Sequence, residues 1–163
     1  MEITNMRLLV LSDTHAQESG AVSALAAQPN ARHVFFLGDG LRGFEELAGA
    51  YPDHVFYTVK GNCDFGADYI AEGFVELAGV KIFFTHGHLY GVKFGLESLC
   101  GAALKHGAEL VLFGHTHRAL SAYSGGLYLL NPGSLSRPAS GSPSYGTADL
   151  TPAGIVTNVI ELK

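Results

Sequence analysis

Seven side chains able to ligate a metal ion stand in five short clusters, and each cluster directly follows an apolar run. They are Asp13 and His15 in Ser12-Asp13-Thr14-His15, Asp39 in Gly38-Asp39-Gly40, Asn62 in Gly61-Asn62-Cys63-Asp64, His86 in Thr85-His86-Gly87-His88, and His115 with His117 in Gly114-His115-Thr116-His117. Imidazole, carboxylate and amide donors together suit transition-metal ions better than calcium or magnesium, which prefer oxygen. On an extended segment, residues i and i+2 project from one face. Asp13 and His15 are therefore expected to reach one ion together, and His115 and His117 have the same reach. Asp39 lies between two glycines, in a backbone free to bend closely, and one carboxylate there can bridge two ions about 3.5–4 Å apart.

Charge balance says what such a pair of ions would do. With Asp13 and Asp39 as the anionic ligands, two divalent ions keep a formal excess of about +2, or about +1 with a bridging hydroxide. That excess attracts a phosphate oxygen and stabilises charge developing on it, with no Lys or Arg cluster needed. The ions would also acidify a bridging water into a nucleophile near neutral pH. The expected chemistry is phosphoester hydrolysis. Singly, each cluster has a plainer reading: Asp13 as a cap, Gly38-Asp39-Gly40 and Gly61-Asn62 as turns, a lone histidine as a hydrogen-bonded structural residue. Five such clusters in one chain, all after β-like runs, argue against that reading.

The elements that must position these residues follow from hydrophobic spacing. Leu8-Leu9-Val10-Leu11 and Val34-Phe35-Phe36-Leu37 read as buried strands and Val55 to Val59 as a third strand, with helices over 20–28 and 44–48 between them. This βαβαβ rhythm implies a parallel sheet with right-handed crossovers. Phe74 to Leu77 and Lys81 to Phe84 read as a hairpin about Ala78-Gly79-Val80. Leu96, Leu99, Cys100, Ala103 and Leu104 have helical spacing, with Cys100 expected to be a buried small hydrophobe. Leu110 to Phe113 returns as a strand, followed by short strands near Ser121, Leu127 and Ser144 and a last one over 155–162. Strand ends are where such sheets present chemistry, so the clusters are expected to share one rim.

Composition narrows the class. The 163 residues, 47% hydrophobic and 15% charged, fit one folded domain over 1–163, and the Gly-, Pro- and Ser-rich stretch 131–144 reads as a surface loop. A net charge of −5 with no Lys or Arg block argues against non-specific binding to nucleic acid or membranes. Two cysteines are too few for a disulfide framework. Residues 1–5 lack the pattern of a signal peptide, and no apolar run spans a bilayer. A cytoplasmic enzyme is the expectation.

In this order the clusters resemble the calcineurin-like metallophosphoesterase superfamily, whose pattern runs D-x-H, G-D, G-N-[HC]-[DE], H, G-H-x-H. Thr85-His86-Gly87-His88-Leu89-Tyr90-Gly91 and Asn131-Pro132-Gly133-Ser134 extend the resemblance to its compact subgroup of small phosphodiesterases, from Leu8 to about Leu150. The resemblance implies an α/β fold, a four-layer αββα sandwich of two mixed β-sheets flanked by helices. It implies one ion held by Asp13, His15, Asp39 and His117, and a second by Asp39, Asn62, His86 and His115. Two divalent ions are thus the implied cofactor: manganese first, with iron, zinc or nickel as alternatives. Asn62 would also touch substrate.

One position departs from the common family pattern. Where many members carry a proton-donating histidine, this chain has Cys63, whose thiol, with an ordinary pKa of about 8.5, matches that task poorly. His88 is the replacement donor to consider, beside a structural or supporting role; Asp64 is expected to orient a neighbour rather than transfer a proton. Arg118 and Arg137 are candidate phosphate contacts, with solvated side chains as the alternative. The leading reading is hydrolysis of a small or nucleotide phosphodiester. A phosphomonoesterase or protein phosphatase, and a non-catalytic scaffold on the same fold, are the competing ones. Edge strands of this fold can pair, which makes a homodimer an expectation.

Overall fold

A computed structural model of the chain describes residues 5–163. Of residues 1–5, on which the expectation of no signal peptide rests, 1–4 lie outside that range. Ten strands and three helices are described: β1 (Met6–Leu11), α1 (Ser19–Ala27), β2 (His33–Phe36), α2 (Leu41–Ala48), β3 (Val55–Thr58), β4 (Glu72–Leu77), β5 (Val80–Thr85), α3 (Glu97–Lys105), β6 (Leu110–Leu112), β7 (Leu120–Ser124), β8 (Leu127–Asn131), β9 (Ser144–Thr151) and β10 (Gly154–Glu161). A 3₁₀ turn covers His88–Tyr90. None of the described helices is long and apolar enough to cross a membrane.

The strands form two five-stranded mixed sheets, in the orders β10-β9-β1-β2-β3 and β4-β5-β6-β8-β7. Within them β1, β2 and β3 run parallel, as do β5, β6 and β8. Antiparallel strands flank both trios. The continuous apolar runs are explained by burial on both strand faces. In β1, Leu8 and Val10 point into the core between the sheets, where they join Phe35, Ile82, Phe84 and Leu112. Leu9 and Leu11 point the other way, under α1 and α2, with Ala24, Leu25, Phe36 and Phe44. On the outer face of the second sheet, Phe83, Val111 and Phe113 pack against Leu99 and Ala103 of α3. The layers run helix, sheet, sheet, helix, as expected.

Some boundaries differ from the spacing-based expectation. Helix α2 begins at Leu41, a turn earlier than Phe44, because a distant side chain caps it: Asp64 Oδ1 accepts from the Gly40 and Leu41 N–H groups at 2.9 and 3.0 Å. The β4–β5 turn is the two residues Ala78-Gly79, both at positive φ (48° and 78°), with Leu77 paired to Val80. Cys100 is half-buried beside the α3 core rather than fully enclosed. The stretch 131–144 is not simply a surface loop, since Asn131 to Leu135 are buried.

Candidate metal centre

Five of the six parallel strands release a cluster at their carboxyl ends: β1 before Asp13, β2 before Asp39, β3 before Asn62, β5 before His86 and β6 before His115. The sixth, β8, runs into the Asn131 loop. The backbone turns sharply at these exits. Asp13, His15, Asp39, His115 and His117 all have positive φ, between 45° and 71°. Non-glycine residues enter this left-handed region at a cost of about 1–3 kcal/mol each, and such strain clusters at functional sites. Strand alternation therefore does not explain how Asp13 and His15 come together, because neither lies on a strand. Left-handed turns do.

The side chains converge as two groups. In the first, His117 Nε2 is 3.2 Å and His15 Nε2 3.6 Å from Asp13 Oδ1, and the two Nε2 atoms are 3.2 Å apart. In the second, His86 Nε2 is 3.0 Å from Asn62 Oδ1, 3.2 Å from Asp39 Oδ2 and 3.2 Å from His115 Nδ1. His115 and His117 thus serve different groups rather than one. His86 Nε2 also lies 3.9 Å from Asp13 Oδ1, so the groups adjoin. Donor atoms of Asp13, His15 and His117, and those of Asp39, His86 and His115, lie within 4.8 Å of one another in each set.

Hydrogen bonds outside the groups fix which atoms face inward. His86 Nδ1–H donates to the Leu37 carbonyl at 2.6 Å, and His117 Nδ1–H to the Arg137 carbonyl at 2.7 Å. In each neutral ring this leaves the Nε2 lone pair directed at the site. Asp13 is divided in the same way. Its Oδ2 accepts from the Ser12 hydroxyl (2.6 Å) and the His115 N–H (3.2 Å). Its Oδ1 is buried and makes no hydrogen bond, despite the nearby imidazoles. Asp39 Oδ1 accepts from the Cys63 N–H at 2.8 Å, leaving Oδ2 toward His86.

A buried carboxylate oxygen without a donor, beside imidazole lone pairs and an amide oxygen, is a concentration of acceptors that a cation would satisfy. The residues fit metal ions. Electrostatics agree. Burial alone would push the Asp13 carboxyl up, but the imidazoles of His117, His15 and His86 hold it well below the usual carboxylate range. For Asp39 too, His86 overcomes burial and lowers the value. The Asp13 carboxylate raises His117; burial pulls His86 down, yet Asp39 and Asp13 leave it raised. Burial and then His86 push His115 down to about 4.

The calcineurin-like phosphoesterase superfamily domain matches residues 6–152. This chain belongs to that superfamily. Among curated members it is 34% identical over 134 residues to the probable metallophosphoesterase YsnB of Bacillus subtilis, covering 82% of this chain and 77% of that protein. It is 33% identical over 168 aligned positions to the phosphodiesterase YfcE of Escherichia coli K12, covering 88% of each. Vacuolar protein sorting 29 from Cryptosporidium parvum shares the fold, with a TM-score of 0.80 and 20% identity over 98% of this chain and 92% of that one.

Around the two groups, the remaining residues singled out by sequence take distinct places. Asp64 is wholly engaged by backbone: besides capping α2, its Oδ2 accepts from the Asp39 N–H at 2.7 Å and the Gly61 N–H at 2.8 Å. His88 stands beside the second group, its ring 5.4 Å from that of His86 and 6.1 Å from that of His115, with Nδ1 buried and unpartnered. Burial and then His86 lower its pKa. Burial and then Asp39 raise that of the Cys63 thiol, making it a weaker acid still. The two arginines separate. Arg137 lines a cavity of about 400 Å³ together with His15, Asp39, Cys63, Asp64 and Phe65. Arg118 lines another of about 570 Å³, with Lys93, Leu96, Phe113, Thr116 and Asn131.

Residue types and spacing did not disclose the supports of the first group. Ser134 and Ser136 hydroxyls donate to the Asp13 carbonyl at 2.8 and 3.1 Å, and the Leu135 N–H donates to the Ser12 carbonyl. Asn131 Nδ2 donates to the Thr116 hydroxyl and the Gly114 carbonyl, bracing the segment that bears His115 and His117. The Asn131-Pro132-Gly133-Ser134 motif was the available signal, but spacing alone assigns it no role.

Proposed function

We propose that this chain is a metal-dependent phosphodiesterase acting on small or nucleotide phosphodiesters, through two divalent ions held by Asp13, His15, His117, Asp39, Asn62, His86 and His115. One observation carries the reading: two adjoining groups of inward-facing donors, in which Asp13 and Asp39 each keep a carboxylate oxygen toward the site while the neighbouring Asp64 spends both of its own on backbone N–H groups. Bound there, the ions would supply an acidified water as nucleophile and positive charge for the phosphoryl oxygens. Leu37 and Arg137 carbonyls fix the two imidazole tautomers, and Asn62 presents its amide beside His86. Manganese, iron, zinc and nickel all suit this mixed set.

The surroundings support a diester over a monoester. Two cavities adjoin the groups, one reaching His15 and Asp39 and walled by Phe65 and Arg137, the other reaching Thr116 and walled by Leu96, Phe113, Lys93 and Arg118. A diester has two organic arms to place; a monoester has one. Arg137 and Arg118, which line separate cavities, would each offer a guanidinium to an anionic arm. Cys63 is too weak an acid to protonate a poor leaving group, so aryl esters are favoured unless His88 donates.

The assay that tests this compares bis(4-nitrophenyl) phosphate with 4-nitrophenyl phosphate, using chelator-stripped protein supplied with manganese, zinc, nickel or ferrous iron. Metal-dependent turnover favouring the diester is expected. Replacing His88 by Gln should slow alkyl esters more than aryl esters if it is the donor. The likeness to Vps29 favours a second reading, a protein-binding scaffold. No metal-dependent turnover of either ester would favour that scaffold, and a preference for the monoester would favour a phosphatase.

A further inference from the structure

We propose that Cys63 Sγ is itself a metal-binding donor, seated at the junction of the two groups; this rests on the metal-centre reading above. The donor atoms of His15, Asp39 and Cys63 lie within 4.8 Å of one another. His15 belongs to the first group and Asp39 to the second, so a sulfur within reach of both sits where the groups meet. The Cys63 backbone is tied to the second group, since its N–H donates to Asp39 Oδ1 at 2.8 Å. The Asn62 amide lies 3.6 Å from the sulfur, on the side of the second group. The thiol is exposed and faces the same cavity as His15 and Asp39.

A separate observation says that a cation belongs here. Asp13 Oδ1, fully buried and without a hydrogen bond, lies 3.6 Å from His15 Nε2. An ion meeting that oxygen and His15 would share His15 with the donor set that contains Cys63. Coordination releases the thiol proton to solvent and leaves a metal–thiolate bond, with no change of oxidation state. The consequence is selectivity. A thiolate is a soft donor, so Cys63 tilts a site of imidazole and carboxylate toward zinc and ferrous iron and away from manganese.

Cobalt(II) titrated into the chelator-stripped full chain reports on both claims at once. Visible ligand-field bands report an ion bound by any donors, and a near-ultraviolet sulfur-to-cobalt charge-transfer band reports the thiolate. Wild type and Cys100→Ser should show both; Cys63→Ser should keep the visible bands and lose the near-ultraviolet one. Zinc should slow alkylation of Cys63 by iodoacetamide, with Cys100 as internal control. In zinc–manganese competition, the preference for zinc should fall by at least about tenfold in Cys63→Ser, the loss typical even of an outer partner. Visible bands without the charge-transfer band in wild type, or a charge-transfer band surviving in Cys63→Ser, would overturn the thiolate assignment alone. No cobalt bands at all would overturn the metal centre and this inference with it.

Discussion

Asp64 and Asp39 are both acidic and stand 25 residues apart in the chain, yet the structure uses them in opposite ways. Asp39 keeps one oxygen for the site, whereas Asp64 spends both on four backbone N–H groups at 40, 41, 39 and 61. Asp64→Asn should therefore act through support. An amide nitrogen cannot accept, and leaving buried donors unpaired costs about 1–3 kcal/mol each. The melting temperature without metal should fall along with turnover; a large loss of turnover at unchanged melting temperature would mean that Asp64 moves a proton. The histidines make a second prediction. Folded His86 and His117 hold their protons more tightly than the unfolded chain, so their contribution is full below an imidazole pKa of about 6.5 and fades as pH rises through their folded values. His115, at about 4, does the reverse and loses stability as pH falls from about 6.5 toward 4. Chelator-treated protein should melt highest near pH 6.5, and added zinc should raise the melting temperature increasingly above that pH, where metal no longer competes with protons. A melting temperature that does not vary between pH 5 and 8 would contradict this.

Among the elements, legibility tracked how locally each feature is caused. The strands at Leu8 to Leu11 and Val34 to Phe36 could be read because burial on both faces demands continuous apolar residues. The start of α2 could not, since its cap, Asp64, follows by more than twenty residues. The turns that aim the ligands were equally hidden, because nothing in Ser12-Asp13-Thr14-His15 announces left-handed backbone at 13 and 15. Nor was the hold of Ser134 and Ser136 on Asp13 visible; it arises when β9 pairs antiparallel with β1 and carries the preceding loop across the rim. Close packing between these exits yields its own prediction. A methyl group at Gly61 would collide with the Asp39 carboxylate and the Asp39 backbone nitrogen. Gly61→Ala should cost about 1–3 kcal/mol, as overpacking does, and weaken metal binding with it. Differential scanning calorimetry and metal titration check the two effects, and an unchanged metal affinity would count against the packing described for Asp39.

At the scale of the whole molecule, the two donor groups have mixed parentage. Asp13 and His15 follow a strand of the first sheet, while their partner His117 belongs to a segment leaving the second. Asp39 comes from the first sheet; His86 and His115 come from the second. Ions bound to these groups would therefore rivet the open lips of the sandwich, whereas its interior is already cemented by Leu8, Phe35, Ile82 and Leu112. Stripping metal should leave amide exchange slow at the strand centres and quicken it around 13–17, 86–91 and 114–118, a pattern that hydrogen–deuterium exchange would resolve. A cofactor that performs chemistry on a substrate would then also serve as masonry, and its loss would cost the enzyme its rim before its core.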